Sequence, residues 1–437
     1  MAVLLVGDIL RAHAGYTQVR VISWRDNMRY AHVDPFERRA VVTLALLHRC
    51  FRILLATALS PAAVLAQSPA GIDPVALKQL LAAAEATHSD AVVIWRDGHL
   101  VGSWHFGKPD APIEAMSATK SIASLAIGRA VTVGAISSID ETVAHYYPQW
   151  RQGQKAVITV RQLLDHTSGM QVGGSNEVET SPDVVQLALA AELSDAPGAR
   201  FYYNNKAVNL LAGIVQKASG RRMDELLSSD VFSRLGFRDF EWVRDTAGNP
   251  YAYARLRIRP EDLAKLGQLI LDGGRWNGEQ LISSAWIDAS MRGSKQNPRC
   301  GLLWWLIPDH TTFVVDTAHL RALRLAGADS AFVARMATIQ GRYDSQIAYE
   351  AALQKALGER YWEPYGEARL VTRMDPYRAE YGPFIGFEAN GSWGQYLVIY
   401  PDQRLVAVRM MAVTENTRMT DSFENFRVLV RALVPGA

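Results

Sequence analysis

Two apolar runs near the start of the second hundred residues, Ala91-Val-Val-Ile-Trp-Arg96 and His99-Leu-Val-Gly-Ser-Trp-His-Phe106, flank the dipeptide Asp97-Gly98. A glycine that accepts positive φ between two such runs predicts a β-hairpin. A second hairpin is predicted far along the chain, where Gln395-Tyr-Leu-Val-Ile-Tyr400 and Arg404-Leu-Val-Ala-Val-Arg409 bracket Pro401-Asp402-Gln403. A helix over 73–87 precedes the first hairpin, and one over 422–433 closes the chain. Between the hairpins apolar residues recur at helical spacing over 117–133, 159–164, 182–191, 206–218, 223–235, 260–272 and 284–291. A further segment, about 309–378, carries three more helix-like stretches rich in Ala, Arg and Leu.

Strands at both ends around a helical middle predict an α/β fold of the α+β type. One antiparallel sheet, flanked by helices, is built from both chain ends, with a mostly helical domain inserted. The expected division is a sheet domain over 67–116 and 284–437, including the helical insertion at about 309–378, and a mostly helical domain over 117–283. A chain of 437 residues suits this, because a single core rarely grows past about 250–300 residues. Residues 1–66 read as an N-terminal extension. Arg38, Arg39, Arg49 and Arg52 precede the apolar run 53–65, which ends in Val64-Leu65-Ala66, the pattern of a secretory signal cleaved after Ala66. The run falls short of the roughly 20 residues that span a bilayer. Export, periplasmic or secreted, is therefore the expectation, with no stable membrane span afterwards. Met28 offers an internal start.

Charge narrows the partners. With 46 basic against 44 acidic residues, no long-range field favours nucleic acid, and a small-molecule substrate is expected. The cysteines are Cys50, in the leader, and Cys300, so no disulfide framework is expected. No metal is expected, since there is no H-E-x-x-H and His99 and His105 sit on a predicted strand at the even spacing of one face; no cofactor is called for.

Three segments carry candidate chemistry. Met116-Ser117-Ala118-Thr119-Lys120-Ser121, ahead of the apolar stretch 122–127, places Ser117 and Lys120 one helical turn apart. A serine hydroxyl needs a base within reach, and a lysine desolvated beside an apolar helix gives up its proton more readily. The same spacing also arises by chance on surface helices. Pro197-Gly-Ala-Arg-Phe-Tyr-Tyr203-Asn-Asn205 then places a Y-x-N triplet ahead of a helix; its phenol suits proton transfer and its amide suits orientation of the lysine or of a substrate carbonyl. Read alone, Tyr203 is equally a core-edge aromatic, and Asn204 or Asn205 a helix cap. The third segment is Phe387-Glu-Ala-Asn-Gly-Ser-Trp-Gly-Gln395, before a strand, where glycines allow close backbone approach.

In this order the three segments resemble the class C β-lactamase and penicillin-binding-protein family of serine hydrolases. Supporting similarity runs through Thr159-Val-Arg-Gln-Leu-Leu-Asp-His-Thr-Ser-Gly169 and Asp262-Leu-Ala-Lys-Leu-Gly-Gln-Leu-Ile-Leu-Asp-Gly-Gly274. The resemblance implies a β-lactamase/transpeptidase-like fold. It makes Ser117, Lys120 and Tyr203 catalytic, with the backbone N–H groups of Ser117 and Ser392 forming an oxyanion hole. It places Asn205, Asn390 and Gly391 at substrate-binding or orienting positions. It gives His166 a structural role, and no G-x-S-x-G elbow supports a Ser-His-Asp triad with Asp165. The chain departs from the family where K-T-G is expected, since the matching triplet is Ala389-Asn390-Gly391. Losing that cation removes a charge-assisted contact worth about 1.5–3 kcal/mol, or one to two decades in affinity. The expectation is therefore an esterase or amidase resembling the 6-aminohexanoate-dimer hydrolases. The alternatives are a β-lactamase or D,D-peptidase, or a penicillin-recognising sensor without turnover. The insertion at 309–378, with Trp304, Trp305, Tyr361 and Trp362 near its ends, reads as either a lid or a shield.

Overall fold

The structure, a computed structural model, describes residues 71–173 and 175–436. The expected leader with its expected cleavage after Ala66, Met28 and Cys50 lie outside the described residues. Asp73 opens helix α1 (Pro74–Ala86) by accepting from the backbone N–H groups of Val75 and Ala76, with Pro74 at the first helical position, where its missing N–H costs nothing. Strands β1 (Ala91–Arg96) and β2 (His99–Trp104) follow; Asp97 and Gly98 both have positive φ, at 50° and 80°, which makes the two-residue turn that matches the twist of a hairpin. The ladder slips between Ile94 and Trp95, and β2 ends at Trp104. His105 therefore lies beyond the strand that was expected to align it with His99.

The middle of the chain supplies α2 (Thr119–Thr132), α3 (Asn205–Ser219) and α4 (Pro260–Leu271), close to the predicted spans. The helix predicted over 223–235 is instead an α-helix, Met223–Leu227, running into a π-helical turn, Ser228–Phe232. The chain then enters β3 (Cys300–Gly301) and β4 (Trp304–Pro308). An insertion follows, comprising β5 (Thr311–Val315), α5 (Thr317–Leu325), α6 (Ser330–Met336), β6 (Gly341–Tyr343), α7 (Gln346–Leu357), α8 (Trp362–Thr372) and β7 (Arg378–Tyr381). The last strands are β8 (Phe384–Gly391), β9 (Gln395–Tyr400) and β10 (Leu405–Met410), and α9 (Phe426–Arg431) ends the fold, shorter than predicted.

Seven strands form one antiparallel sheet in the order β2-β1-β10-β9-β8-β4-β3. The first and last strands are neighbours, Ala91 facing Met410 and Arg96 facing Leu405, so the chain ends do share a sheet. Helices cover both faces. Val92, Ile94, Val398 and Tyr400 pack with Leu80 of α1 and Phe426 of α9, while Val93, Leu397, Val406 and Val408 pack with the helical middle. That double burial explains why β9 and β10 read as continuous apolar runs.

The expectation of a purely helical insertion is corrected. The segment holds four helices and a three-stranded antiparallel sheet, β6-β5-β7, around its own core of Leu323, Phe332, Met336, Tyr349 and Leu353. The β-branched run Thr311-Thr-Phe-Val-Val315 was the available signal; its partners, of three and four residues, are too short to show a period of two.

Candidate active site

Ser117 lies in a single 3-10 turn, Met116–Ala118, that feeds directly into α2; Met116, ahead of it, takes φ 49°. Nearly every residue in the first three turns of α2 is buried, so Lys120 has nowhere to send its amine but along the helix to Ser117. Its Nζ donates to Ser117 Oγ at 3.1 Å and to the buried carbonyl of Tyr253 at 2.8 Å. Its Nζ also lies 4.7 Å from the ring centre of Tyr203 and 5.2 Å from that of Tyr253. Among the described residues no carboxylate pairs with it, and burial alone holds its pKa well below the ordinary lysine range.

Tyr203 completes the group. Burial pushes its phenol up to about 12, while a hydrogen bond with Ser117 pulls the other way. The hydroxyl is therefore protonated near neutral pH. Its ring centre lies 4.7 Å from that of His166 and 6.4 Å from that of Trp305, and Phe201 packs edge-on against both of those rings. His166 is fully enclosed, with its pKa lowered to about 3 by burial and by Lys120. Its Nδ1 accepts from the backbone N–H of Asn204, at 3.2 Å, and its carbonyl accepts from Tyr202 N, at 2.8 Å. A neutral imidazole that fastens residues 202–204 is a support for Tyr203. Asp165 is influenced by Arg161 and by the backbone of Leu302, and its pKa is raised by burial to about 6.

The two asparagines divide their work. Asn204 caps α3, its Oδ1 accepting from Ala207 N at 3.1 Å while its Nδ2 donates to Met170 O at 2.7 Å. Asn205 begins the helix proper and keeps a buried Oδ1 that has no partner among the described residues.

Gly391 ends β8 against the nucleophile. A Cβ there would drive into the Ala115 carbonyl oxygen and sit 3.0 Å from Ser117 N and 2.9 Å from Met116 Cβ, so only glycine lets the strand approach this closely. The turn that follows, Ser392 to Gly394, contains two residues at positive φ, Trp393 at 65° and Gly394 at 75°. Asn390 requires a correction. Its Nδ2 donates to Glu388 Oε1 at 2.9 Å, and Glu388 is fully buried and paired with Arg427 of α9. Alternation along β8 sends residues 388 and 390 to the α9 face and 387, 389 and 391 to the Ser117 face, so the Asn390 amide does not orient substrate.

Ala389, at the position where the family's lysine is expected, is buried in the core. Two arginines of the insertion do reach the neighbourhood. A cavity of about 420 Å³ is lined by Tyr203, Tyr202 and Phe201 on one side and by Arg369, Leu370 and Arg373 of the insertion on the other. Both guanidinium groups are already paired, Arg373 with Asp195 at 2.6 Å and Arg369 with Asp375 at 2.7 Å. The insertion thus walls the cleft with neutralised charge. Cys300 is a free buried thiol, pushed up to about 12 chiefly by burial, and hence inert.

Sequence reasoning missed Tyr253. Its carbonyl is the second acceptor for Lys120, but it acts through the backbone, 133 residues away, and no local motif marks it.

The beta-lactamase family model matches residues 77–425, and the chain belongs to that family. It is 25% identical over 233 residues to a 6-aminohexanoate-dimer hydrolase of Paenarthrobacter ureafaciens, covering 48% of this chain and 59% of the relative. It is 26% identical over 190 residues to esterase EstB of Burkholderia gladioli, covering 38% and 48% respectively. It is also 26% identical over 175 residues to a D-aminopeptidase of Brucella canis, covering 36% and 33%. The chain therefore spans between a third and three fifths of the length of these curated relatives. Among solved structures, a putative beta-lactamase from Bacteroides dorei superposes with TM-score 0.57 at 15% identity, over 83% of this chain and 99% of that one. A putative 6-aminohexanoate-dimer hydrolase from Bacillus anthracis gives TM-score 0.54 at 19% identity, over 80% of each chain. These likenesses establish the β-lactamase/transpeptidase-like fold.

Proposed function

We propose that this protein is a serine hydrolase that cleaves carboxylic ester or linear amide bonds through an acyl-enzyme on Ser117. The observation that carries the reading is the desolvated Lys120 amine 3.1 Å from the Ser117 hydroxyl oxygen, with the Tyr203 ring centre 4.7 Å from that same amine. A lysine whose charged form is disfavoured by burial is present as the free amine at lower pH than usual and takes the Ser117 proton as Oγ attacks the carbonyl carbon. The Tyr203 hydroxyl, itself protonated, delivers a proton to the departing alkoxide or amine and is refilled from Lys120. The carbonyl oxygen, now negative, is received by the backbone N–H groups of Ser117 and Ser392, a reading supported by the close packing of Gly391, the residue before Ser392, against Ser117 N. Water then enters by the same route in reverse and releases the acid.

Ester or linear amide substrates are favoured over β-lactams because Ala389 stands where a cation would receive the β-lactam carboxylate. The names of the curated relatives, a dimer hydrolase, an esterase and a D-aminopeptidase, agree with that preference. The test is turnover of p-nitrophenyl acetate and butyrate, nitrocefin and a linear aminohexanoate amide by the purified chain, with Ser117→Ala beside it. Ester or amide turnover exceeding nitrocefin turnover, and lost by at least about four decades in Ser117→Ala, is expected. Equal rates in the two proteins would remove Ser117 from the mechanism.

A further inference from the structure

The turn that carries Ser392 is held by a side chain outside the three motifs. Arg409, on β10, is fully buried, and among the described residues it has no carboxylate within ion-pair distance. Its five N–H bonds meet five oxygens. Nε donates to Ser89 Oγ at 2.8 Å. One terminal nitrogen donates to the carbonyls of Trp393, at 2.5 Å, and Gly394, at 3.0 Å. The other donates to the carbonyls of Thr87, at 2.9 Å, and Asp421, at 2.7 Å. A guanidinium is suited to this, because its planar fork offers five donors in fixed directions and does not shed its proton.

Two of those acceptors are the last carbonyls of the Ser392 turn, and the turn needs holding. Trp393 adopts a left-handed conformation that a bulky residue rarely takes, and Gly394 follows in the same region. A Cβ on Gly394 would collide with the Ser422 carbonyl oxygen and lie 2.7 Å from the Arg409 guanidinium, so the turn is pressed onto the arginine with no slack. The remaining acceptors come from just beyond α1 and from the segment before α9, the layer on the far side of the sheet. We propose that Arg409 is a positioning residue for the oxyanion hole. It clamps the Trp393 and Gly394 carbonyls to the frame made by residues 87–89 and 421, and so fixes the direction of the Ser392 N–H. The inference rests on the acyl-enzyme reading above and deepens it.

The test compares Arg409→Gln and Arg409→Lys with the parent, using Arg234→Gln, which removes an exposed arginine paired with Glu279 and outside the clamp, as a control. Two quantities are read. One is the rate of acylation by p-nitrophenyl butyrate, separated into kcat and KM. The other is the affinity for phenylboronic acid, whose adduct on Ser117 is a tetrahedral anion with an oxygen in the oxyanion position. A loosened N–H weakens only the charged tetrahedral state, so kcat and boronate affinity fall together, by roughly 10- to 100-fold, while KM moves by less than about threefold. Arg409→Lys falls between parent and Arg409→Gln, and Arg234→Gln stays within about threefold of the parent. Folded Arg409 variants with parental kcat and boronate affinity would overturn the inference, as would a change confined to KM. Should neither variant fold, amide hydrogen exchange at residues 392–394 of the parent decides. Protection comparable to β8 and β9 supports the clamp, and exchange at open-loop rates sinks it. That exchange readout stands even if Ser117→Ala shows that the acyl-enzyme reading has failed, so the two failures are distinguishable.

Discussion

Among the described residues two cations are buried without a carboxylate partner, and the protein treats them in opposite ways. Lys120 has two oxygen acceptors, one of them the nucleophile, and its pKa is held well below the ordinary range by burial. Arg409 has five, and although burial lowers it to about 10 it keeps its charge at neutral pH. Burial of a charge is costly unless hydrogen bonds replace the lost water. Where they do, as around Arg409, the cation is a fixed strut. Where they fall short, as around Lys120, the same cost becomes a driving force for deprotonation, which a general base requires.

The sharpest way to break that contrast is to exchange the chemistry at the first site. Lys120→Arg keeps charge and length but installs a group that does not act as a base. Acylation is expected to fall by about three decades, comparable to Lys120→Met, as read by single-turnover kinetics with p-nitrophenyl butyrate. In the parent the same rate is lost as pH falls through the lowered pKa of Lys120, because the protonated amine no longer accepts the serine proton. A Lys120→Arg protein within tenfold of the parent would mean that the amine only organises the site.

The next effect belongs to the joint between the two regions. Gly391→Ala puts a methyl group into the Ala115 carbonyl, backbone that cannot swing aside, and separates β8 from Ser117 N. A loss of about two decades in kcat is expected with the fold retained, the size of losing one oxyanion donor. An unchanged kcat would show that the hole tolerates displacement.

How much of this was legible in the sequence depends on whether the information is local. Ser117, Lys120 and Tyr203 sit in short motifs with fixed spacing, and the structure brings all three together. The hairpin at Asp97-Gly98 and the helix starting near Asp73 were readable for the same reason, since a turn or a helix start is decided by a few neighbours. Asn390 was misassigned because a linear triplet does not show which face of the strand each residue takes; that depends on Glu388 finding Arg427, 39 residues on. Tyr253 and Arg409 act through backbone carbonyls, and a carbonyl has no sequence signature. The sheet in the insertion escaped because its edge strands, of three and four residues, are no longer than two periods of alternation.

A third titratable group sharpens the comparison from the acid side. His166 is buried beside Lys120 and neutral, with its pKa about 3 against 6.5 for a free histidine. The folded state therefore binds fewer protons than the unfolded chain between those values, so its stability falls as pH drops below 6.5, by about 1.4 kcal/mol per unit from this residue. Between pH 7 and 4.5 the parent is expected to lose about 2–3 kcal/mol more than His166→Asn, read from urea midpoints. Equal losses in the two proteins would mean that water reaches the imidazole.

The smallest effect lies at the outer wall. Arg373 comes from the insertion, Asp195 from the helical middle, and their pairing at 2.6 Å holds the insertion segment beside Tyr202. Both side chains keep some access to solvent, at 32% and 16%, so the pair itself contributes no more than about 1 kcal/mol. Its value lies in shape, since the 420 Å³ cavity has Tyr203 on one side and this segment on the other. If the insertion grips the substrate beyond the scissile bond, Arg373→Ala raises KM by about three- to tenfold for the aminohexanoate amide and leaves p-nitrophenyl acetate, too short to reach the wall, unchanged. If the insertion only shields the sheet, the two substrates respond alike, because a shield has no means of telling a long acyl chain from a short one.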